Sequence, residues 1–286
     1  MLGRTKTIEK FPDNFETLYD TFSGSFAVRQ LGTKRTFSEG SDFFFEMANG
    51  NIPGLTQGTV AGNNPGLSAD TEESVNNIRL ETGTGAVYTY LTTDTTVYIS
   101  SSNANDTQII ALVGFDDTFT AVVRIATLNG QTPVAFSGDI FRVTAIAIIS
   151  SPQVAAVGNI YLSTDNTDIT AGVPNTLSKV LAKIDTGGTQ GTLANRTISA
   201  TQKAYLFNIV FNSSKSTDAD IILRFRTAPD DDFAPAPPFQ VFQNTDTVNQ
   251  IIGTPLPAKT DIDITAISPT AGSKITAQFS LILTDI

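Results

Sequence analysis

Hydrophobic and polar positions alternate with a period of two along much of this chain. In Tyr205-Leu206-Phe207-Asn208-Ile209-Val210-Phe211-Asn212 the large apolar residues Tyr205, Phe207, Ile209 and Phe211 share one parity. Near the end, Ile275, Ala277, Phe279, Leu281 and Leu283 alternate with Thr276, Gln278, Ser280 and Thr284. That spacing predicts strands with one core face. Further strands are predicted at 87–91, 96–101, 108–115, 119–128, 132–136, 141–149, 159–162, 221–227, 239–243 and 261–267. Gly, Pro, Asn and Asp punctuate nearly every gap. Asn129-Gly130 reads as a tight hairpin between 119–128 and 132–136, because both residues tolerate positive φ. Many short strands without intervening helical patterns predict an all-β fold, a β-sandwich or jelly-roll-like architecture.

Two segments are ambiguous. Leu177, Val180, Leu181 and Ile184 match helical spacing, while Val180, Ala182 and Ile184 also alternate as a strand would. Asp70 followed by Glu73 has the spacing to open a short helix over Val75 and Ile78.

Residues 1–80 differ from the rest. They hold aromatic clusters (Phe11, Phe15, Tyr19 and Phe22, then Phe37, then Phe43, Phe44 and Phe45) separated by glycine-rich stretches. No long periodic element is visible there, and a disordered tail would be poor in aromatics. The expectation is an extended N-terminal arm, 1–80, that buries Phe11, Phe15, Tyr19, Phe22, Phe43, Phe44 and Phe45 against neighbouring subunits. The alternative is an arm that wraps its own sandwich. Residues 81–286 then form the sandwich domain, open to division into sub-sandwiches 81–170 and 171–286.

Composition narrows the chemistry. Among 286 residues there is no Cys and no His. That rules out thiolate catalysis, sulfur-ligated metals and the commonest general base. Eighteen Lys and Arg against 28 Asp and Glu leave a formal charge of −10. Sparse, scattered cations argue against nucleic acid and against an anionic membrane as partners. Met1-Leu2-Gly3-Arg4-Thr5-Lys6 leads into no apolar run, so no secretory signal is expected.

The enzymatic rival is a carboxylate-pair glycosidase, which needs no histidine. Asp116-Asp117 and Asp230-Asp231-Asp232 supply candidates, but both sit in turn-like contexts where solvated Asp is ordinary. Thr164-Asp165-Asn166-Thr167-Asp168 and the 230–232 run could donate oxygens to a calcium ion, without the spacing of an EF-hand loop. Gly187-Gly188-Thr189-Gln190-Gly191-Thr192 lacks the lysine of a phosphate cradle and reads as a turn. No cofactor is implied. Arg224 and Arg226 alternate with Leu223 and Phe225, and Asp261 and Asp263 with Ile262 and Ile264. Both sets are expected on a non-core face. They pair across a sheet if the strands are neighbours, and mark an intersubunit contact if they are not.

Four motifs follow one another in the middle of the chain: Ser100-Ser101-Ser102-Asn103-Ala104-Asn105-Asp106-Thr107, Val113-Gly114-Phe115-Asp116, Leu128-Asn129-Gly130 and Phe141-Arg142-Val143. In this order they resemble virion structural proteins of tailed bacteriophages, aquatic ones especially. Later segments follow the same pattern: Ala204-Tyr205-Leu206, Leu223-Arg224-Phe225-Arg226, Pro257-Ala258-Lys259-Thr260-Asp261-Ile262 and Phe279-Ser280-Leu281-Ile282-Leu283-Thr284-Asp285. The likeness covers roughly 81–286. Phe115 stands where the pattern has Leu, and the stretch after Thr107 is shorter. The resemblance implies a non-enzymatic virion component, made in the host cytoplasm and homo-oligomeric (trimer or hexamer). Its partners would be a major capsid protein or tail subunits. A head decoration or cement role is the first expectation; a tail, neck or baseplate adaptor, or a glycan-binding host-attachment protein, is the alternative.

Overall fold

The computed structural model describes residues 6–11, 15–20, 25–30, 47, 52–78, 80, 85–152, 154–191, 193–214, 219–229, 231–235, 239–241, 244–248 and 255–286; for 6–30, 207 and 239–248 the description is of the backbone. Contacts divide the chain into two compact units, Met1–Gln57 with Ile282–Asp285, and Gly58–Leu281 with Ile286.

In the first unit β1 (Lys6–Phe11), β2 (Phe15–Asp20) and β3 (Ser25–Gln30) form an antiparallel meander. The register sets Lys10 opposite Glu16 and Glu16 opposite Arg29. Regular structure thus occupies a stretch that the sequence presents as an arm without periodic elements. The strands are six residues long and carry charges among their apolar positions, which blurs a period-two signal.

The second unit opens with β4 (Leu55–Leu67, from Gly58 onward) and the two-residue β5 (Glu73–Ser74). Then come β6 (Tyr98–Ser101), β7 (Ile109–Phe115), β8 (Ala121–Thr127), β9 (Val134–Ala135), β10 (Arg142–Ile148) and β11 (Ile160–Ser163). The hairpin β12 (Ile169–Thr170) and β13 (Val173–Pro174) leads to β14 (Val180–Ile184) and β15 (Gln190–Gly191). The chain ends through β16 (Arg196–Thr197), β17 (Gln202–Ser213), β18 (Ala219–Arg226), β19 (Ala234–Pro235), β20 (Phe239–Val241), β21 (Asn244–Val248), β22 (Asp261–Ile267) and β23 (Ser273–Asp285). The fold is nearly all β, as the alternation predicts.

These strands build two sandwich-like bodies. The first packs the sheet β15-β10-β7-β8 against β14-β11-β6-β9. Its core includes Ile99, Ile110, Leu112, Ile146, Ile160 and Leu181, all essentially inaccessible to solvent. The second combines β16-β22-β18-β19, with β5 and β20 attached, and β21-β17-β23-β4. Ile221, Leu223, Ile262, Ile264, Phe211 and Phe279 are buried there. The change between bodies falls near residue 192 rather than 170. Segment 58–75 belongs to the second body: β5 pairs with β22, Val75 N–H donates to the Ile264 carbonyl (2.9 Å), and Val75 is fully buried, while Ile78 joins the core of the first body. Residues 58–78 are therefore part of the folded β structure and not of a separate arm. Pro65 sits on β4, the outer strand of its sheet, the place in a sheet where proline is tolerated.

Other local expectations shift. Asp70 turns with φ 52° and Glu73 enters β5, so no helix opens at Asp70. At 177–184 a single 3₁₀ turn, Leu177–Lys179, runs straight into β14, and both readings hold in part. Residues 87–91 form no strand, contrary to the prediction. In β17 the buried phase changes: Ala204 and Leu206 are buried, then Ile209 and Phe211, while Tyr205 is half-buried. The Asn129-Gly130 turn exists, with φ 55° at Gly130, but does not close a hairpin. β8 pairs with β7, and β9 pairs with β6 in the facing sheet, so this turn carries the chain from one sheet to the other. The hairpin next to it is β7–β8, closed by Asp116–Thr120.

Candidate functional site

Two of the resemblance motifs, 100–107 and 128–130, meet at one buried carboxylate. Asp106 Oδ2 accepts from Ser101 Oγ (2.5 Å) and Gly158 N–H (2.8 Å), and Oδ1 accepts from Val157 N–H (2.8 Å) and Gln108 Nε2 (3.0 Å). The Asp106 carbonyl accepts from Gly130 N–H (2.8 Å), whose neighbouring carbonyl takes Ser101 N–H (2.9 Å). A Cβ on Gly130 would stand 2.5 Å from the Ala104 carbonyl oxygen, so the glycine is needed for close approach as well as for its φ. Burial alone would raise the Asp106 carboxyl, but the bonds from Ser101, Val157, Gly158 and Gln108 bring it below its ordinary value.

A second polar cluster lies between the two sandwich bodies. β18 and β22 are antiparallel neighbours, with Arg224 opposite Asp263 and Arg226 opposite Asp261. The cross-strand alternative is the one that holds. Arg226 binds Asp261 Oδ2 through Nε (3.0 Å) and Nη2 (2.7 Å), and Arg224 Nη2 binds Asp263 Oδ2. This face is not solvated: Asp261 and Asp263 are wholly buried. Arg142 reaches it from β10 of the first body, its Nε 3.1 Å from both Asp261 oxygens and its Nη2 3.0 Å from Oδ2. Its Nη1 donates to the carbonyls of Leu91 (2.6 Å) and Phe141 (3.0 Å). Thr197 Oγ1 donates to Asp261 Oδ1 (2.6 Å), and Glu72 approaches Arg224 (3.4 Å) and takes the Thr265 hydroxyl (2.6 Å). Three guanidinium groups thus face three carboxylates. Aromatic rings close the cluster: Arg142 lies 3.8 Å from the Phe141 centroid, and Arg226 lies 4.8 Å from Tyr90 and 4.7 Å from Phe233. Sequence reading missed Arg142. Its signal was a lone cation within the apolar run 141–149, which demands a buried partner.

Burial pushes the Asp263 carboxyl above its ordinary value, against the pull of Arg224. The native state therefore holds this proton to higher pH than the unfolded chain, near 3.9. Through that interval, from about pH 4 upward, stability falls as pH rises. Replacing Asp263 by Asn is expected to flatten this slope in a series of melting temperatures against pH.

Of the remaining candidate carboxylates, Asp116, Asp165, Asp168 and Asp231 are engaged locally. Asp116 Oδ1 takes the Thr118 hydroxyl (2.6 Å) and the N–H groups of Thr118 and Thr120 (3.0 Å each). Asp165 binds Lys179 and Thr167 N–H, and Asp168 binds Asn175 and Thr176. Asp231 accepts weakly from Thr227 (3.3 Å), and Asp230 lies outside the described residues. Among the described residues no group of three or more acidic side chains is placed to hold a metal ion. Also among them, no helix is long and apolar enough to cross a membrane. Phe22, Phe43, Phe44 and Phe45 lie outside the described residues; Phe11, Phe15 and Tyr19 are on β1 and β2, with their side chains outside the description.

The most unusual surface is the outer face of β10-β7-β8. Val123 and Ile125 on β8 are 58% and 55% exposed, and Ile109 and Val113 on β7 are 38% and 40% exposed. The register places Val113 beside Val123 and Ala111 beside Ile125, and β10 continues the strip through Ala145, Ala147 and the exposed Ile149. The three strands contain no acidic residue; Arg142 is buried, and Arg124 is half-buried on the parity of the core residue Ala126. An apolar strip of this kind marks an interaction surface.

No family model matches the chain, and no curated protein does. Solved structures with some likeness include infectious bursal disease virus Gt strain (12% identity, 81% of this chain and 76% of that one, TM-score 0.20). The Gx strain structure gives 13% identity over 80% of this chain and 70% of that one, TM-score 0.21. The crystal structure of the same virus's VP2 subviral particle gives 14% identity over 85% and 77%, TM-score 0.20. Superpositions this loose carry no argument about fold or function.

Proposed function

We propose that this chain is a non-enzymatic structural component of a bacteriophage virion, a head decoration protein that binds neighbouring capsid subunits. The observation that carries the reading is the uncharged apolar face of β10-β7-β8, set on a body whose buried carboxylates are engaged in holding the fold together. Asp106, Asp261 and Asp263 serve the interior, and Asp116, Asp165 and Asp168 cap their own turns. What remains on offer is a surface. The resemblance of the motifs at 100–107, 128–130 and 141–143 to phage virion proteins supports the same reading. On a symmetric particle each contact can be weak, because many copies act together.

The N-terminal aromatic residues supply a second contact in this proposal, with Phe11, Phe15, Tyr19, Phe22 and Phe43–Phe45 as anchors. The test is incorporation. Because 58–78 belongs to the folded β structure, the truncation removes residues 1–30 only. Particles assembled with the full chain should retain it through density-gradient purification, while the truncated chain stays at the top of the gradient. Retention of the truncated chain at the full level would refute anchoring by this segment.

A further inference from the structure

The outer strand of the apolar face points to its own occupant. β8 ends the sheet β15-β10-β7-β8, with no strand beyond it among the described residues. Leu128 N–H bonds to the Gln108 carbonyl (2.9 Å), and in an antiparallel ladder the same parity continues through Ala126, Arg124 and Val122. The main-chain groups of Val123 and Ile125 therefore face the open edge. Edges left open in soluble proteins are ordinarily blunted by lysine, proline or an inward-pointing charge beside a short strand. This edge is seven residues long, AVVRIAT, with no proline, no lysine and no acid. Of those guards it carries one, Arg124, on the parity of the core side and half-buried with its guanidinium close against Gly138; Val123 and Ile125, whose main-chain groups face the edge, carry none.

We propose that β8 pairs antiparallel with β8 of a second copy of this chain about a twofold axis, joining two four-stranded sheets into one of eight. Three features select a second copy over an unrelated protein. An antiparallel edge is self-complementary, since two identical edges satisfy each other's N–H and C=O groups under twofold symmetry. The pairing makes the two apolar strips one continuous face. A chain of net charge −10 repels its own copies over most of its surface, and this strip lacks the carboxylates that cause the repulsion. Centring the axis on Val123 or on Ile125 keeps the two Arg124 side chains from standing opposite each other, which like charges disfavour.

The inference rests on reading this face as an assembly surface. Its failure is separable from failure of the virion role, since a chain monomeric in solution yet retained on particles would remove only the β8 pairing. The native chain has no cysteine, so single cysteines report proximity cleanly. Val123→Cys or Ile125→Cys, whichever lies on the axis, should give mostly disulfide-linked dimer when a copper–phenanthroline oxidant takes up the two electrons. Backbones paired at that distance fall within disulfide reach. Gln190→Cys, exposed on the opposite edge of the sheet, should stay monomeric. In sedimentation of the cysteine-free chain, Val123→Arg with Ile125→Arg should weaken self-association at least tenfold. Monomer at all concentrations, or cross-linking at Gln190 equal to that at both β8 positions, would overturn the proposal. If the double arginine variant fails to fold, the cysteine variants decide alone.

Discussion

Replacing Arg142 by alanine is expected to destabilise the chain by about 3–5 kcal/mol, the range for breaking one side of a buried ion pair. Asp261 would keep Arg226 but lose the guanidinium that arrives from the other sandwich body, and the Leu91 and Phe141 carbonyls would lose their donor. A vacated site beside Phe141 adds to the loss. In thermal terms the drop is roughly 6–20 °C, taking about 2–4 °C per kcal/mol for a large domain. Denaturant titration of the purified chain checks it. The same substitution in an Asp261→Asn background should cost less, because the stranded charge is gone. A loss below about 1 kcal/mol would show that the cluster does not hold the two bodies together.

The second large effect is expected at Asp106. Alanine there strands the Ser101 hydroxyl, the Gln108 amide and the N–H groups of Val157 and Gly158 at a site closed to water. Each buried donor left unmet costs about 1–3 kcal/mol, and partial relaxation brings the expected total to about 3–5 kcal/mol. The acid limb supplies an independent readout. Asp106 has a lowered carboxyl value in the folded state, so its stabilisation is complete above the unfolded value near 3.9 and disappears as pH falls through the folded one. Asp106→Asn should therefore lose stability at neutral pH and show a shallower decline below pH 4. An unchanged acid limb would contradict the assignment. Asp263 has the opposite sign, so the two variants separate in one pH series.

How much of this was legible in the residues varies by feature. Strand β22 matches its predicted span, 261–267, and β23 buries the predicted Ile275, Ala277, Phe279, Leu281 and Leu283. Both strands alternate over most of their length, with Ile267 and Ile282 the breaks in the polar parity, and that is the condition under which period two is informative. Strand β8 shows the converse. Its two parities, Val123 with Ile125 and Val122 with Arg124 and Ala126, differ little in hydrophobicity. A lone arginine would ordinarily mark the wet face, and yet its parity is the core side. No local pattern could show that inversion, because it depends on Gly138 leaving room for Arg124.

The charged pairs were half legible. Spacing placed Arg224 with Arg226 and Asp261 with Asp263, but their burial depends on Arg142, more than a hundred residues from Asp261 and in another sheet. Turn chemistry showed the same limit. Asn129-Gly130 fixes a turn by its dihedral preference, whereas which strands flank it in space is set by the facing sheets. The N-terminal boundary failed for a related reason. Val75 and Ile78 look like isolated apolar residues; β22 takes up Val75, and the core of the first body takes up Ile78.

The central claim is that this chain is a shell subunit whose work is done by its surface. Quantitative mass spectrometry of purified particles, counting copies of this chain against the major capsid protein, tests it most directly. The account predicts a fixed ratio corresponding to hundreds of copies per particle; a chain left wholly in the particle-free fraction would contradict it.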